Sequence, residues 1–356
     1  MPPSVPFLHS IQVLRGLAAL AVALFHLQLD IATRLGLPDA LPDLAVGAAG
    51  VDVFFVVSGV VMVLSSDRLF GQPGAARSFM ARRAIRLVPL YWLTTVFALA
   101  SAPQVREQTT LPVLAAALAF IPWPDAGGAT LPVHAIGWTL NYEMFFYVLF
   151  ATALALPRRQ AVASLMLLLV ALIAAGLALR PQNPALQFWT APIIGEFALG
   201  MAIGLAHREG LRLPRPAAWG LVAAGLALFL IQAAPAATHL MPPAERALTF
   251  GLPAALLVAG AVLRAPVQHP LPFSRFLAWL GDASYSLYLT HPFVIALARR
   301  VAQAGGLDPT PWVWAYAALV LVGCILVAAV CHALFERPVT RALRGFGGQP
   351  RPAGPA

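Results

Sequence analysis

The chain has 356 residues, of which 60% are hydrophobic and only 10% charged, and its mean hydropathy is +0.79. Soluble domains carry about 25% charged residues, so this composition excludes a soluble globular protein and indicates an integral membrane protein. All 23 basic residues are arginines, and they cluster in short segments between apolar stretches. That pattern is typical of polytopic membrane proteins, and it argues against nucleic acid as a partner despite the net charge of +9.

Apolar stretches along the chain predict about ten membrane-spanning helices, at ~20 residues each. In chain order they are 10–29, 47–66, 84–102, 134–156, 160–180, 188–207, 216–233, 247–263, 276–299 and 312–335. The stretch 111–122 is too short and is bracketed by prolines, so we interpret it as a re-entrant or interfacial helix. The predicted fold class is all-α, a polytopic transmembrane helical bundle. Residues 1–344 form its single domain, and the Gly/Pro-rich segment 345–356 is predicted to be a disordered tail.

The distribution of arginines predicts the orientation of the bundle. With the N-terminus inside, the inner loops and the C-terminal tail hold sixteen arginines and the outer loops six, leaving Arg15 in the first span aside. Because cytoplasmic loops are enriched in basic residues, both termini are predicted to be cytoplasmic. The two cysteines, Cys324 and Cys331, lie in the last apolar stretch and are interpreted as small core residues. No metal site is predicted.

The first apolar helix carries Arg15 near its start and His26 near its end. Eleven residues turn an α-helix by ~1100°, so the two side chains share a face and lie ~16 Å apart along the axis. A charged group at the bilayer centre costs roughly 2.5–3.5 kcal/mol on insertion scales. Such residues are usually functional, so this pair is the first candidate for a site.

Ionisable groups on five predicted spans fall at a similar depth, between the midplane and the outer surface. They are His26, Asp52, Glu143, Glu196 and His291. An unpaired ionisable group is costly in hydrocarbon, so their common depth predicts one shared polar cavity. Glu196 and His291 could each instead be a structural hydrogen-bonding group.

A second cluster lies at the predicted cytoplasmic end of the third span, where Arg82, Arg83 and Arg86 precede Pro89. The helix is predicted to kink or restart at that proline. Guanidinium groups bind phosphate in a bidentate manner, so these arginines and Arg15 predict a phosphate site. The same arginines could serve only as a topology signal. Up to this point an enzyme and a proton-coupled transporter fit equally well.

Several motifs occur together and in a fixed order. They are RGLAALAVALFH from Arg15, GVDVFFVVSG from Gly50, RRAIRLVPLYW from Arg82, WTLNYEMFFY from Trp138, SYSLYLTH from Ser284 and FERP from Phe335. The chain in this respect resembles the acyltransferase 3 superfamily of bacterial membrane O-acyltransferases, which includes O-antigen, exopolysaccharide and nodulation-factor acetylases. The resemblance covers nearly the whole chain, except that 157–270 carries little that is diagnostic.

The resemblance implies transfer of an acyl group, commonly acetyl from acetyl-CoA, across the bacterial inner membrane. The implied acceptor is a hydroxyl of an extracytoplasmic glycan or lipid-linked sugar, and no bound cofactor is implied. The family pattern carries over to Arg15, His26, Arg83, Arg86 and Glu143. Some relatives have an additional esterase-like periplasmic domain, and we do not expect one after FERP in this chain. It is therefore open whether a periplasmic partner completes the transfer.

Together the residues and the resemblance predict a mechanism. The phosphates of acyl-CoA bind at Arg15, Arg82, Arg83 and Arg86, and the pantetheine arm extends towards His26. His26 acts as a general base or as a transient acyl carrier, and the sequence does not choose between these routes. Asp52 or Glu143 orients its ring, as the carboxylate does in a Ser-His-Asp triad. His291 is a further catalytic candidate, and the transporter remains the alternative function.

Overall fold

The computed structural model describes residues 5–124, 128, 130–231, 243–264 and 272–346, and the regular elements in these ranges are helices. The α-helices are α1 Val5–Arg34, α2 Gly50–Ser65, α3 Ala75–Ser101, α4 Pro103–Gln108, α5 Leu111–Leu118, α6 Trp138–Ala153, α7 Arg158–Leu179, α8 Pro184–Trp189, α9 Gly195–Arg208, α10 Arg215–Ile231, α11 Pro243–Arg246, α12 Leu252–Leu263, α13 Pro272–Asp282, α14 Ser284–Ala304, α15 Val313–Cys331 and α16 Arg337–Phe346. Short π-helical segments, Ala247–Gly251 and His332–Glu336, precede α12 and α16. The predicted all-α class is confirmed.

Six helical stretches among the described residues are long and apolar enough to cross a membrane. They are His9–Arg34, Ala45–Ser65, Ala75–Ser101, Arg158–Leu179, Pro184–Arg208 and Thr310–Arg344. Two shorter apolar stretches, Arg215–Ile231 and Ala247–Leu263, coincide with the predicted seventh and eighth spans. The total of ten spans and the cytoplasmic position of both termini stay predictions. Most of the predicted disordered tail, from 347 onwards, lies outside the described residues.

The predicted span 276–299 is not one helix, because α13 ends at Asp282 and α14 begins at Ser284. At the break, the end of α13 packs closely against α1. A Cβ atom built at Gly281 would lie 1.9 Å from the carbonyl oxygen of Gln12, so the two backbones are in direct contact. The Gln12 side chain also donates a hydrogen bond to the Asp282 carboxylate. Hydropathy along one segment cannot report such a contact between segments.

The third predicted span begins earlier than expected. The helix α3 starts at Ala75 rather than near residue 84, and it continues through Pro89 without restarting. The arginine cluster therefore lies within a formed helix, which fixes the directions in which Arg82, Arg83 and Arg86 point.

The helix α2 is the most enclosed of the apolar helices, with twelve of its 16 residues buried. It packs against α1, α9 and α12. By contrast, α7 and α15 expose rows of large apolar residues such as Leu167, Val170, Leu319 and Leu326. Apolar rows of this kind suit contact with lipid, so α2 is central and α7 and α15 are peripheral.

A polar clamp closes the end of the bundle where α2 leads into α3. Asp67, in the loop after α2, accepts hydrogen bonds from Arg158 at 2.6 Å and from two nitrogens of Arg208 at 2.8 and 2.5 Å. Partial burial opposes ionisation of this carboxyl, but the hydrogen bonds and charges of the two arginines outweigh it and hold the pKa of Asp67 below its ordinary value. The clamp ties the first residue of α7 and the last residue of α9 to the same loop.

Candidate active site

A cavity lies between α1, α2, α3, α6 and α14. It encloses about 750 Å³ of empty space, part of it continuous with solvent. Its charged lining residues are Arg15, Arg83, Arg86 and Glu143. Three helices that are distant in sequence therefore bring four of the predicted site residues to one place.

Hydrogen bonds hold Glu143 at the wall of this cavity. Its Oε1 accepts from Ser58 Oγ at 3.2 Å and from the hydroxyl of Tyr147, one helical turn further along α6. Arg83 is fixed nearby, because its Nη2 donates to Ser65 Oγ at 2.8 Å. The guanidinium of Arg83 also lies 5.6 Å from the centre of the Tyr147 ring, a distance at which a cation is attracted to the ring face. The acidic and basic groups are thus positioned before any ligand arrives.

The charges in this cavity do not balance. Arg15 interacts electrostatically with Glu143 and is repelled by Arg86, and its Nη1 donates to the side chain of Gln12 at 3.1 Å. Among the residues that the structure describes, Arg15, Arg83 and Arg86 together face a single lining carboxylate, that of Glu143. The excess of positive charge in a partly enclosed space favours a phosphate-bearing ligand. Arg82, the fourth predicted phosphate ligand, is not part of this lining and instead lies close to Arg344.

The two histidines of the predicted site contact each other. Nε2 of His291 lies 3.2 Å from Nδ1 of His26. Each Nδ1 also lies 3.0 Å from the carbonyl oxygen four residues earlier, that of Val22 for His26 and that of Leu287 for His291. His291 is fully buried, whereas His26 is half-buried.

These contacts assign the protons of the neutral pair. A carbonyl oxygen only accepts, so His291 carries its proton on Nδ1 and donates it to Leu287. Its Nε2 then accepts from the Nδ1–H of His26, which is shared with Val22. The Nε2 of His26 keeps a free lone pair, since no described residue donates to it. This atom is also not fully buried. An accessible imidazole nitrogen whose opposite N–H is held by an acceptor is the arrangement of a general base or a nucleophile.

Tyr288 connects the cavity with the histidine pair. It lines the cavity, and its ring centre lies 6.1 Å from that of His291. Its hydroxyl is held in place by Thr139 Oγ1 and by the Ile136 carbonyl, each at 2.9 Å. A ligand extending from the arginines towards the histidines therefore passes this ring.

Two acidic residues that were predicted to share the cavity, Asp52 and Glu196, lie outside it. Asp52 is fully buried and forms an ion pair with Arg246 at 2.6 Å, and it interacts with the buried Glu196. Neither residue lines the cavity. Within the described part of the chain, the hydrogen bonds of His26 go to Val22 and His291 and not to a carboxylate. The prediction of one cavity shared by five groups, with Asp52 or Glu143 orienting His26, is therefore corrected.

The sequence indicates how deep each of these residues lies in the membrane, but not the direction in which its side chain points. Asp52 and Ser58 lie on the same helix six residues apart, which corresponds to a rotation of about 240° around its axis. Ser58 consequently faces Glu143 while Asp52 faces Arg246. The three groups that result are the arginines with Glu143, the two histidines, and Asp52 with Arg246 and Glu196.

Sequence reasoning missed Tyr147, Tyr288 and Arg246. Helical spacing could have indicated the first two, because Tyr147 follows Glu143 by four residues and Tyr288 precedes His291 by three. Nothing along the chain pointed to Arg246, which was counted only as an outer-loop arginine. No group of three or more His, Cys, Asp or Glu residues that could hold a metal ion occurs among the residues that the structure describes.

A family model described as an acyltransferase domain matches residues 8–329. The chain belongs to this acyltransferase family. The resemblance predicted from the motifs is thereby confirmed, and of the two alternatives the enzyme, not the transporter, is supported.

Three curated relatives share most of the chain. The exopolysaccharide production protein ExoZ of Rhizobium meliloti (strain 1021) is 36% identical over 302 residues, covering 83% of this chain and 90% of that protein. The acyltransferase MdmB of Streptomyces mycarofaciens is 28% identical over 381 residues, with 96% and 94% covered. The putative peptidoglycan O-acetyltransferase YrhL of Bacillus subtilis (strain 168) is 27% identical over 368 residues, with 94% of this chain and 55% of that protein covered. No solved structure gives a significant match.

Proposed function

We propose that this membrane acyltransferase transfers an acyl group, acetyl in the first instance, from cytoplasmic acyl-CoA to a hydroxyl of an extracytoplasmic glycan or lipid-linked sugar. The proposed location is the bacterial inner membrane. Two relatives support a glycan acceptor by their names, one in exopolysaccharide production and one as a putative peptidoglycan O-acetyltransferase.

The observation that carries the proposal is the convergence of Arg15, Arg83 and Arg86 around Glu143 in one cavity next to Tyr288 and the histidine pair. Three guanidinium groups against one carboxylate suit the phosphates of CoA. The pantetheine arm is uncharged and flexible, so it can extend along the largely apolar cavity wall towards His26. Donor binding and chemistry are thereby assigned to different groups.

At the reacting end, His26 acts through Nε2. In direct transfer, Nε2 takes the proton of the acceptor hydroxyl while the hydroxyl oxygen attacks the thioester carbonyl carbon. The carbon–sulfur bond then breaks, and the CoA thiolate takes the proton back from the imidazolium. In the covalent route, Nε2 itself attacks the carbonyl carbon, the carbon–sulfur bond breaks and CoA leaves as the thiolate. The acceptor hydroxyl then attacks the carbonyl carbon of the acyl-imidazole, the carbon–nitrogen bond breaks, and the hydroxyl proton neutralises the thiolate. In both routes His291 accepts from the Nδ1–H of His26 and stabilises positive charge on the ring.

The experiment uses purified protein, radiolabelled acetyl-CoA and membranes from a strain that lacks the gene. Wild-type protein should transfer label to membrane glycan. In Arg83→Ala and Arg86→Ala, each loss of a charge-assisted phosphate contact worth roughly 1.5–3 kcal/mol should raise the KM for acetyl-CoA about 10- to 100-fold. Saturating donor should restore much of the rate.

Arg68→Ala is the matched control, because Arg68 is an exposed arginine in the loop before α3 and does not line this cavity. It should behave as wild type. If folded protein transferred no label from acetyl-CoA, the proposal that acetyl-CoA is the donor would be contradicted. An unchanged KM in both α3 variants would contradict the phosphate site.

A further inference from the structure

A second cavity lies where α3, α13, the π-helical segment His332–Glu336 and α16 meet. It encloses about 990 Å³ of empty space, part of it continuous with solvent. Its positively charged lining consists of Arg86, Arg337, Arg341 and Arg344, and its aromatic lining residue is Trp279. The proposed function uses the cavity that holds Glu143 and the histidine pair, and it assigns no role to this second cavity.

The arginines of this basic cavity are not neutralised by its carboxylates. Asp282 and Glu336 line it as well, but the first accepts a hydrogen bond from Gln12 and the second accepts from Ser286 at 2.6 Å and contacts His332 at 2.9 Å. Among the described residues, none of the four lining arginines forms an ion pair. Four cations therefore face two carboxylates that already have partners, and the cavity attracts anions.

The arrangement of the α16 arginines is more specific than a topology signal requires. Arg337, Arg341 and Arg344 follow each other at intervals of four and three residues, so their side chains project from one face of the helix. That face lines the cavity. Arginines that only fixed the orientation of the chain in the membrane could lie on any side of α16.

Arg86 lines both this cavity and the one that holds Glu143. Glu336, in the wall of the basic cavity, interacts electrostatically with Arg15, in the wall of the other. Arg82 lies close to Arg344 and extends the positive surface. A row of cations thus runs from α16 through Arg86 to Arg15, and one long anionic ligand can contact all of it.

We propose that the basic cavity binds the 3′-phosphorylated adenosine end of the donor CoA, which deepens the proposed function and rests on it. The 3′-phosphate contacts Arg341 and Arg344, and the diphosphate lies at Arg86 beside Arg83 and Arg15. From there the pantetheine arm extends along the cavity that holds Glu143. The adenine stacks on Trp279, a residue that is 46% exposed. Arginine and not lysine suits this role, because its planar group binds phosphate in a bidentate manner.

Binding of CoA analogues to the purified full-length protein tests this assignment by calorimetry, without an acceptor. The probes are CoA and dephospho-CoA, which lacks only the 3′-phosphate. Wild-type protein should bind CoA at least about tenfold more tightly than dephospho-CoA, because the 3′-phosphate makes charge-assisted contacts. The double variant Arg341→Ala/Arg344→Ala should bind CoA about 10- to 100-fold more weakly and dephospho-CoA as wild type does.

Two further variants separate the parts of the ligand. Trp279→Leu should weaken the binding of CoA and dephospho-CoA equally, and should leave the binding of 4′-phosphopantetheine, which has no adenosine, unchanged. Arg215→Ala removes an exposed arginine at the start of α10, outside the cavity, and should bind all three probes as wild type does. Thermal unfolding of each variant checks that it is folded.

A lipid headgroup offers the same phosphate chemistry, so the titrations are repeated with phosphatidylglycerol in the detergent micelles. Equal wild-type affinity for CoA and dephospho-CoA would overturn the proposal, as would a preference for CoA that survives in the double variant. The proposal would also be overturned if phosphatidylglycerol changed the affinity of wild-type protein for CoA and the double variant differed from wild type only in having lost that change. If wild-type protein binds CoA without distinguishing the 3′-phosphate, only this assignment fails. If it does not bind CoA at all, the proposed donor fails with it.

Discussion

His26 combines three features that acyl transfer requires of a single side chain. Its Nδ1–H is held by Val22 and His291, its Nε2 has no hydrogen-bond partner among the described residues, and its ring is half-buried. The first feature fixes the orientation and the tautomer of the ring, and the second leaves a lone pair for the reacting hydroxyl or thioester. His291 completes the pair but has both ring nitrogens occupied, so in the proposed mechanism it acts through His26 as a positioning residue.

Replacing His26 should separate chemistry from donor binding. His26→Ala and His26→Gln should each lower the acyl-transfer rate at least ~10²-fold, the lower range for loss of a general base. Both should bind CoA as wild type does, because Arg15 lies ~16 Å away along α1. Initial rates and CoA dissociation constants on the same preparations check this. Near-wild-type transfer by either variant would remove His26 from the mechanism.

Replacing His291 should have a smaller effect of a different kind. His291→Ala removes the acceptor that holds the Nδ1–H of His26, so kcat should fall about 10- to 100-fold, as for other residues that orient a reactive imidazole. The KM for the donor should not change. His291→Gln can place its amide oxygen near the same N–H and should recover part of the lost kcat. Steady-state kinetics with both variants distinguishes this role from a structural one, for which Gln would give no recovery.

At the scale of helices, the crossing of α2 and α9 depends on glycines. A Cβ atom at Gly200 would lie 2.0 Å from the carbonyl oxygen of Val56, and one at Gly59 would lie 2.4 Å from that of Phe197. Small residues allow helix backbones to approach closely in membranes, where dispersion contacts rather than the hydrophobic effect hold helices together. This close crossing fixes the rotation of α2, and hence the directions of Ser58 and Asp52.

Gly200→Ala should therefore destabilise the protein, by about 1–3 kcal/mol as for other overpacked contacts. Gly220→Ala is the matched control, because a Cβ atom there meets nothing within 4 Å and Ala is the better helix former. The control should unfold at the same or a slightly higher temperature than wild type. Thermal unfolding in detergent, followed by tryptophan fluorescence, measures both. Equal midpoints for the two variants would show that the crossing tolerates a methyl group.

At the scale of the whole molecule, the proposed direction of transfer depends on the orientation in the membrane. The sixteen-to-six asymmetry of arginines predicts that residues 67–81 and the C-terminal tail are cytoplasmic, and that 30–46 and 103–133 are external. The basic cavity formed with α16 would then face the compartment that contains acyl-CoA. The orientation and the donor proposal therefore support each other.

Cysteine labelling of intact cells tests this orientation. In a background with Cys324 and Cys331 replaced by Ala, an impermeant maleimide should label Asp39→Cys from outside and should label Gln72→Cys only after permeabilisation. Both positions are exposed loop residues, so access does not limit the reaction. Labelling of Gln72→Cys in intact cells would contradict the predicted orientation and would indicate that the arginine cavities face the outer side.

The sequence alone determined the class of the molecule and much of its chemistry. Hydropathy gave an all-helical membrane protein, the motifs gave the family, and the eleven-residue spacing of Arg15 and His26 placed a cation and a base on one face of α1. These properties are local, because helix length, helical period and motif order are all read along one segment. How the segments face each other is not local. Close backbone contacts such as those at Gly200 and Gly281 restrict how neighbouring helices can rotate. Only the packing of the helices in three dimensions decided that His26 meets His291, that Asp52 turns to Arg246, and that α16 adds its arginines beside Arg86.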